Sequence, residues 1–212
     1  MNINKEDMLL YVVTDRTWLG KDQLEDQVEE IIQSGATFIQ LREKEMDLEQ
    51  FVSEGKKIRE ITKQYNIPLV INDSIKVALA VGADGVHVGQ KDLEAKKCRE
   101  LIGDDKILGV SAQTVEQAVM AEKNGADYIG VGAVFSTSTK ADANPVSFEV
   151  LSEICKSVSI PVVAIGGINQ ENILKLKGSG IDGVAVISAI FAAPDKKKAA
   201  KTLLSLSKEV VL

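Results

Sequence analysis

Short apolar, β-rich runs recur along the chain at residues 9–15 (LLYVVTD), 37–42 (TFIQLR), 68–73 (PLVIND), 84–89 (DGVHVG), 106–111 (KILGVS), 127–132 (DYIGVG), 161–167 (PVVAIGG) and 182–188 (DGVAVIS). Each leads through a polar or glycine-bearing turn into a stretch with helical spacing, among them residues 23–35, 48–65, 115–125 and 148–158. The third unit is the weakest, because SIKVALAV (74–81) allows barely two helical turns. Gly35, Gly125 and Gly180 fall just before the next run, where a helix C-cap favours a left-handed residue. Strands that are apolar nearly throughout and alternate with helices predict a parallel sheet covered on both faces. Eight such units in 212 residues predict an α/β chain, a single (β/α)8 TIM barrel over residues 1–212, ahead of an open doubly wound sheet.

Charge narrows the partners. Lys and Arg number 25 against 31 Asp and Glu, a net charge of −6, which argues against broad attraction to nucleic acid or an anionic membrane. Any anion site must then be local. No apolar run approaches the roughly 20 residues of a membrane span, and MNINKEDML carries acids where a signal peptide is basic and then apolar. The expectation is a cytoplasmic protein with no membrane partner. Cys98 and Cys155 are far apart and lack C-x-x-C spacing, so they read as free structural thiols. The KKKAAK segment (196–201) reads as the solvated face of a last helix. Whether copies of the chain form a homo-oligomer is left open.

In such barrels the chemistry sits at the C-terminal ends of the strands. Strand two ends in Gln40, Arg42 and Lys44, strand three in Asn72 and Asp73, strand four runs on through Gln90 to Asp92, and strand five ends at Ser111. Strand six leads to Thr137, Ser138, Thr139 and Lys140, strand seven to Gly166 and Gly167, and strand eight to Ser188. Singly, each has an ordinary explanation as a charged helix start, a polar loop or a turn. Jointly they place cations, carboxylates, hydroxyls and glycines on one rim. The glycine pair and the small-residue turn after strand eight match the place where these barrels bind phosphate through backbone N–H groups. Arg42, Lys44 and Lys140 would meet a second, larger anion from the other side. Asp73 and Asp92 beside phosphates make sense around a hard cation such as Mg2+. The one histidine, His87, lies inside an apolar run and reads as a buried, hydrogen-bonded structural residue.

The blocks QLREK (40–44), INDSIKVALAVGADGVHVGQKD (71–92), GVSAQT (109–114), DYIGVGAVFSTSTKADA (127–143), AIGGI (164–168) and GVAVISAI (183–190), starting from YVVTD at Tyr11, resemble thiamine phosphate synthase over nearly the whole chain. Phosphate-site glycines alone are weak; QLREK, IND with HVGQxD, and TxTK together are specific. The resemblance implies a Mg2+-dependent transferase that condenses hydroxymethylpyrimidine diphosphate with hydroxyethylthiazole phosphate, giving thiamine phosphate and pyrophosphate by a dissociative route. By motif it gives Gln40, Arg42, Lys44, Asn72, Ser111 and Lys140 to the pyrimidine diphosphate, and Asp73 and Asp92 to Mg2+. Thr137, Ser138, Thr139, Gly167, Ile187 and Ser188 fall to the thiazole phosphate.

The chain departs from the family pattern at Gln113, where many relatives have histidine, and at Ser136, where the loop commonly has proline. Gln113 donates hydrogen bonds but does not titrate. A thiazole tautomerase on the same barrel would want histidine there and would lack part of the diphosphate set. A non-catalytic phosphate-binding module need not keep both Asp73 and Asp92, and a sugar-phosphate isomerase or epimerase is supported by fold alone.

Overall fold

The computed structural model describes residues 3–90, 94–137 and 145–212. Eight strands, β1 (Leu10–Val13), β2 (Phe38–Leu41), β3 (Leu69–Asn72), β4 (Gly85–Val88), β5 (Ile107–Ala112), β6 (Tyr128–Val131), β7 (Val162–Ile165) and β8 (Gly183–Val186), run parallel, and β8 closes onto β1. Each falls within its apolar run, except that β5 goes one residue further, to Ala112. The fold is a single closed (β/α)8 barrel.

The helices begin where a short polar side chain can satisfy an otherwise unpaired N–H group. Asp47, Ser74, Thr114, Ser147 and Asp195 cap α2 (Leu48–Gln64), α3 (Ile75–Val81), α5 (Val115–Lys123), α6 (Phe148–Ser157) and α8 (Lys196–Val211) in this way. The set is completed by α1 (Leu24–Gln33), α4 (Ala95–Ile102) and the four-residue α7 (Ser188–Phe191). The lysine-rich start of α8 borders solvent while Ala200, Leu203, Ser207 and Val210 turn inward. One unit departs from the pattern. Between β7 and β8 the chain makes only a 3-10 turn, Ile173–Leu176. Asn172 accepts from the Asn169 N–H at 2.8 Å and Asn169 from the Glu171 N–H at 2.9 Å, so these side chains compete with a helix start. Ile173 and Leu176 are buried three residues apart, the spacing of a 3-10 face.

Strand side chains alternate between two cores. Tyr11, Phe38, Val70, Ile107, Tyr128, Val163 and Ala185 fill the barrel. Their neighbours, such as Val12, Ile39, Ile71, Val86 and Leu108, pack outward against the helices.

A device recurs at the N-terminal end of the barrel. Thr37, Asp84, Asp127 and Asp182 each immediately precede an even-numbered strand. Each side chain accepts an N–H from the start of the preceding odd strand: Leu10 at 2.9 Å, Leu69 at 2.8 Å, Leu108 at 2.7 Å and Val162 at 2.9 Å. The same four residues donate their own N–H groups back to the carbonyls of those partners. Each is preceded by a positive-φ glycine and a small or aliphatic residue, in Gly35-Ala36, Gly82-Ala83, Gly125-Ala126 and Gly180-Ile181. The turn is thus a four-times-repeated clamp that sets the register of neighbouring strands.

Neither Cys98 nor Cys155 is in a disulfide. Burial, reinforced by Asp182, pushes the Cys155 thiol up to about 12, so it stays protonated. Among the described residues no helix is long and apolar enough to cross a membrane.

Candidate active site

The barrel interior is apolar up to the level of Tyr11, Phe38 and Tyr128, and above it opens into a cavity of about 300 Å3. Its wall follows from strand alternation: two residues on from each interior position, the next inward side chain reaches the mouth. From Phe38 the sequence runs to Gln40 and Arg42, from Ile107 through Gly109 to Ser111 and Gln113, and from Tyr128 to Gly130 and Gly132. All but Phe38, Ile107, Gly109 and Tyr128 of these line the cavity.

Of the residues singled out from the sequence, Gln40, Arg42, Ser111, Thr137, Gly167, Ile187 and Ser188 surround this one cavity. Lys44 and Asp73 are exposed and Asn72 half-buried at the rim, outside the lining. Asp92, Ser138, Thr139 and Lys140 lie outside the described residues. Asp73 takes a left-handed φ of 60° immediately after β3, its N–H donates to the His87 carbonyl at 2.8 Å, and its carboxylate accepts from the Asn72 amide at 2.6 Å.

The strand-two rim is held by paired charges. Arg42 donates its backbone N–H to the Thr14 hydroxyl at 3.0 Å, and its guanidinium lies 3.9 Å from Asp15. Next to these, Arg16 pairs with Glu43 at 2.7 Å and Glu54 at 2.8 Å. Burial raises the Glu43 carboxyl above its usual range, with Arg16 opposing the shift. These crossed pairs tie the end of β1 to the loop that carries Arg42 and Lys44.

Below the mouth, polar side chains form a continuous chain. The Gln40 amide nitrogen donates to the Tyr11 hydroxyl at 2.5 Å; the Tyr11 and Tyr128 hydroxyls are 2.7 Å apart; Tyr128 is 2.8 Å from His87 Nδ1; and His87 Nε2 is 2.9 Å from the Ser111 hydroxyl. His87 is therefore buried and hydrogen-bonded, as read from its place in an apolar run, and it also lines the cavity. Desolvation raises the pKa of both tyrosines, so both are neutral phenols. Tyr11 and Tyr128 escaped the sequence reading. The signal was there: each is a hydroxyl-bearing side chain on the inward phase of an apolar strand.

The comparisons with known proteins decide the family. The profile described as "Thiamine monophosphate synthase" matches residues 10–190. The chain belongs to this family. It is 55% identical over 203 residues to a thiamine-phosphate synthase of Ruminiclostridium cellulolyticum, covering 96% of this chain and 97% of that one. It is 52% identical to the thiamine-phosphate synthase of Clostridium tetani over 96% and 97% of the two chains. Among solved structures, a thiamine phosphate pyrophosphorylase from Pyrococcus furiosus superposes with a TM-score of 0.90 at 40% identity, covering 98% of this chain and 99% of that one. Membership of the thiamine monophosphate synthase family makes the chain a transferase of thiamine biosynthesis whose reaction releases pyrophosphate.

Gly167 shows why this family-like loop needs glycine here. Its φ is 65°, and a Cβ on it would overlap the Ser136 carbonyl oxygen and lie 2.9 Å from Phe135. The obstacle is the backbone of the β6 loop, which leads directly to Thr137. Gly167→Ala is thus expected to displace that loop and to cost about 1–2 kcal/mol from the left-handed backbone alone. A thermal melt should show a lowered melting temperature. An unchanged melting temperature would contradict the close approach.

Proposed function

We propose that this cavity binds hydroxymethylpyrimidine diphosphate and hydroxyethylthiazole phosphate side by side and joins them, releasing pyrophosphate. The observation that carries the reading is the convergence of Gln40, Arg42 and Ser111 with Thr137, Gly167, Ile187 and Ser188 on one cavity of about 300 Å3. The first three come from β2 and β5, the last four from the ends of β6 to β8 on the other side. Two anion-binding halves facing one space suit a reaction between two phosphorylated partners.

The chemistry proposed is dissociative. The bond between the pyrimidine methylene and the diphosphate oxygen breaks, its electron pair leaves on pyrophosphate, and the thiazole nitrogen lone pair then closes on the resulting cation. Arg42 with Lys44 and Lys140 holds the diphosphate and stabilises charge as it develops on the leaving group. Gln40, Asn72 and Ser111 hold the pyrimidine side, and Thr137, Ser138, Thr139, Gly167, Ile187 and Ser188 the thiazole phosphate. Such a step needs no strong general base. Gln113 does not titrate, and its amide donates to the Gly132 carbonyl at 3.1 Å, which fits a wall rather than a proton-transfer group.

Asp73 and Asp92 are the carboxylates proposed for Mg2+. The donor chemistry fits: Asp73 presents an exposed hard oxygen ligand at the end of β3. When bound, Mg2+ supplies neutralisation of the negative charge on the pyrophosphate group. Pyrophosphate release should be essentially abolished by excess chelator and restored by added Mg2+. Equal rates with and without chelator would remove the metal role from Asp73 and Asp92.

A further inference from the structure

The buried chain from Gln40 to Ser111 has few ways to place its protons. Each tyrosine carries a single hydroxyl proton, and neither is ionised, because burial holds both phenols neutral. Tyr11 Oη is bonded to Gln40 and Tyr128, with no third partner among the described residues. Since the Gln40 amide nitrogen donates to it, its own proton must go to Tyr128. Tyr128 then gives its proton to His87 Nδ1, and His87 carries its hydrogen on Nε2, facing the Ser111 oxygen. At the two ends this leaves the Gln40 carbonyl oxygen as an acceptor and the Ser111 hydroxyl hydrogen as a donor, both on residues that line the cavity. Turning the Gln40 amide over would reverse every bond, and the two ends would exchange roles together. With a neutral His87 they cannot both be donors or both acceptors while every buried group stays paired.

The strands make room for this chain. A Cβ on Gly109 would overlap the Tyr128 hydroxyl and lie 2.5 Å from His87 Nδ1; one on Gly130 would lie 3.2 Å from the His87 ring. Gly109 stands opposite both His87 and Tyr128 in the sheet register, so the bond between them passes directly over it.

We propose that Gln40, Tyr11, Tyr128, His87 and Ser111 form a one-directional hydrogen-bond relay that makes the cavity wall an acceptor at Gln40 and a donor at Ser111, selecting a ring that carries both an amine and a ring nitrogen. Tyr128 and His87 are then positioning residues, acting on the ligand only through Gln40 and Ser111. The inference rests on the proposed pyrimidine site: thiamine's pyrimidine carries an exocyclic amine and ring nitrogens, the complementary groups.

The test uses ligands that cannot react. Binding of hydroxymethylpyrimidine monophosphate, of its analogue lacking the exocyclic amine, and of pyrophosphate is measured by calorimetry on the full chain. The wild type should prefer the amine-bearing ring by on the order of 100-fold, since the analogue leaves a buried acceptor unpaired. In Tyr128→Phe the Tyr11 proton has only Gln40 to turn to, so the amide flips and the preference should fall about tenfold or more. Pyrophosphate affinity should stay within a few-fold. His87→Phe removes both ring nitrogens, breaks the relay at its next link and should lower the preference in the same way, which keeps the test open if Tyr128→Phe does not fold. A wild type with no preference for the amine would overturn both the relay and the pyrimidine assignment of this wall. A wild-type preference that survives intact in either folded variant would overturn the relay alone.

Discussion

Arg42→Ala is expected to lower kcat by about 10²- to 10³-fold, the loss seen when one preorganised group aimed at developing charge is removed. The side chain is only 17% exposed, lines the cavity, and is aligned by Asp15 at 3.9 Å and by its backbone bond to Thr14. On the proposed reading little reorganisation is therefore needed when charge appears on the leaving pyrophosphate. Arg42→Lys should recover only part of the loss, because an ammonium is a point charge without the fork that grips a phosphate through two bonds. The fold should survive, since Asp15 retains its bond from the Thr17 N–H at 2.8 Å. Steady-state pyrophosphate release, measured beside a thermal melt, checks both statements. A folded Arg42→Ala enzyme within threefold of the wild-type kcat would take Arg42 out of leaving-group stabilisation.

The largest stability effect should come from the opposite end of the barrel. Asp84 is 8% exposed, receives two parallel bonds from Arg59 at 2.7 and 2.9 Å, and accepts the Leu69 N–H at 2.8 Å. Asp84→Ala strands a half-buried guanidinium and a buried N–H together, at a cost of about 3–5 kcal/mol. For a chain of this size that lowers Tm by roughly 6–20 °C. Asp182 makes the equivalent clamp on Val162, but its ionic partner, Lys5, is 70% exposed. Asp182→Ala should thus cost less, since an exposed partner adds about 0–1 kcal/mol. Equal Tm losses in the two variants would show that the Arg59 fork adds nothing beyond the backbone clamp.

The barrel was legible because its signal is redundant. Eight apolar runs, each bounded by turns, point to parallel strands whether or not any one helix is well formed. The weak point was local. Residues 168–180 have an apolar spacing that suits a helix, but Asn169 and Asn172 spend their side chains on the turn, and only a 3-10 segment forms. The fourfold clamp was partly visible, in Gly35, Gly125 and Gly180. Gly82 and the Thr or Asp two residues after each glycine complete it, and their role depends on contacts with strands 15 to 27 residues away.

At the mouth, charged and glycine-rich blocks announced themselves, because such residues are conspicuous at strand ends. The polar wall beneath was hidden. Tyr11, His87 and Tyr128 sit within apolar runs, where a hydroxyl or imidazole reads as one more core residue. Only closure of the barrel brings β1, β2, β4, β5 and β6 close enough for their side chains to join.

The central claim is that one cavity couples loss of pyrophosphate to capture of the cation by the thiazole. It is tested most directly by quantifying thiamine phosphate and pyrophosphate in a single time course with both precursors and Mg2+. The expected result is equimolar appearance of the two products, with neither formed when both precursors are absent. Substantial pyrophosphate release without matching thiamine phosphate in the presence of both precursors would contradict it.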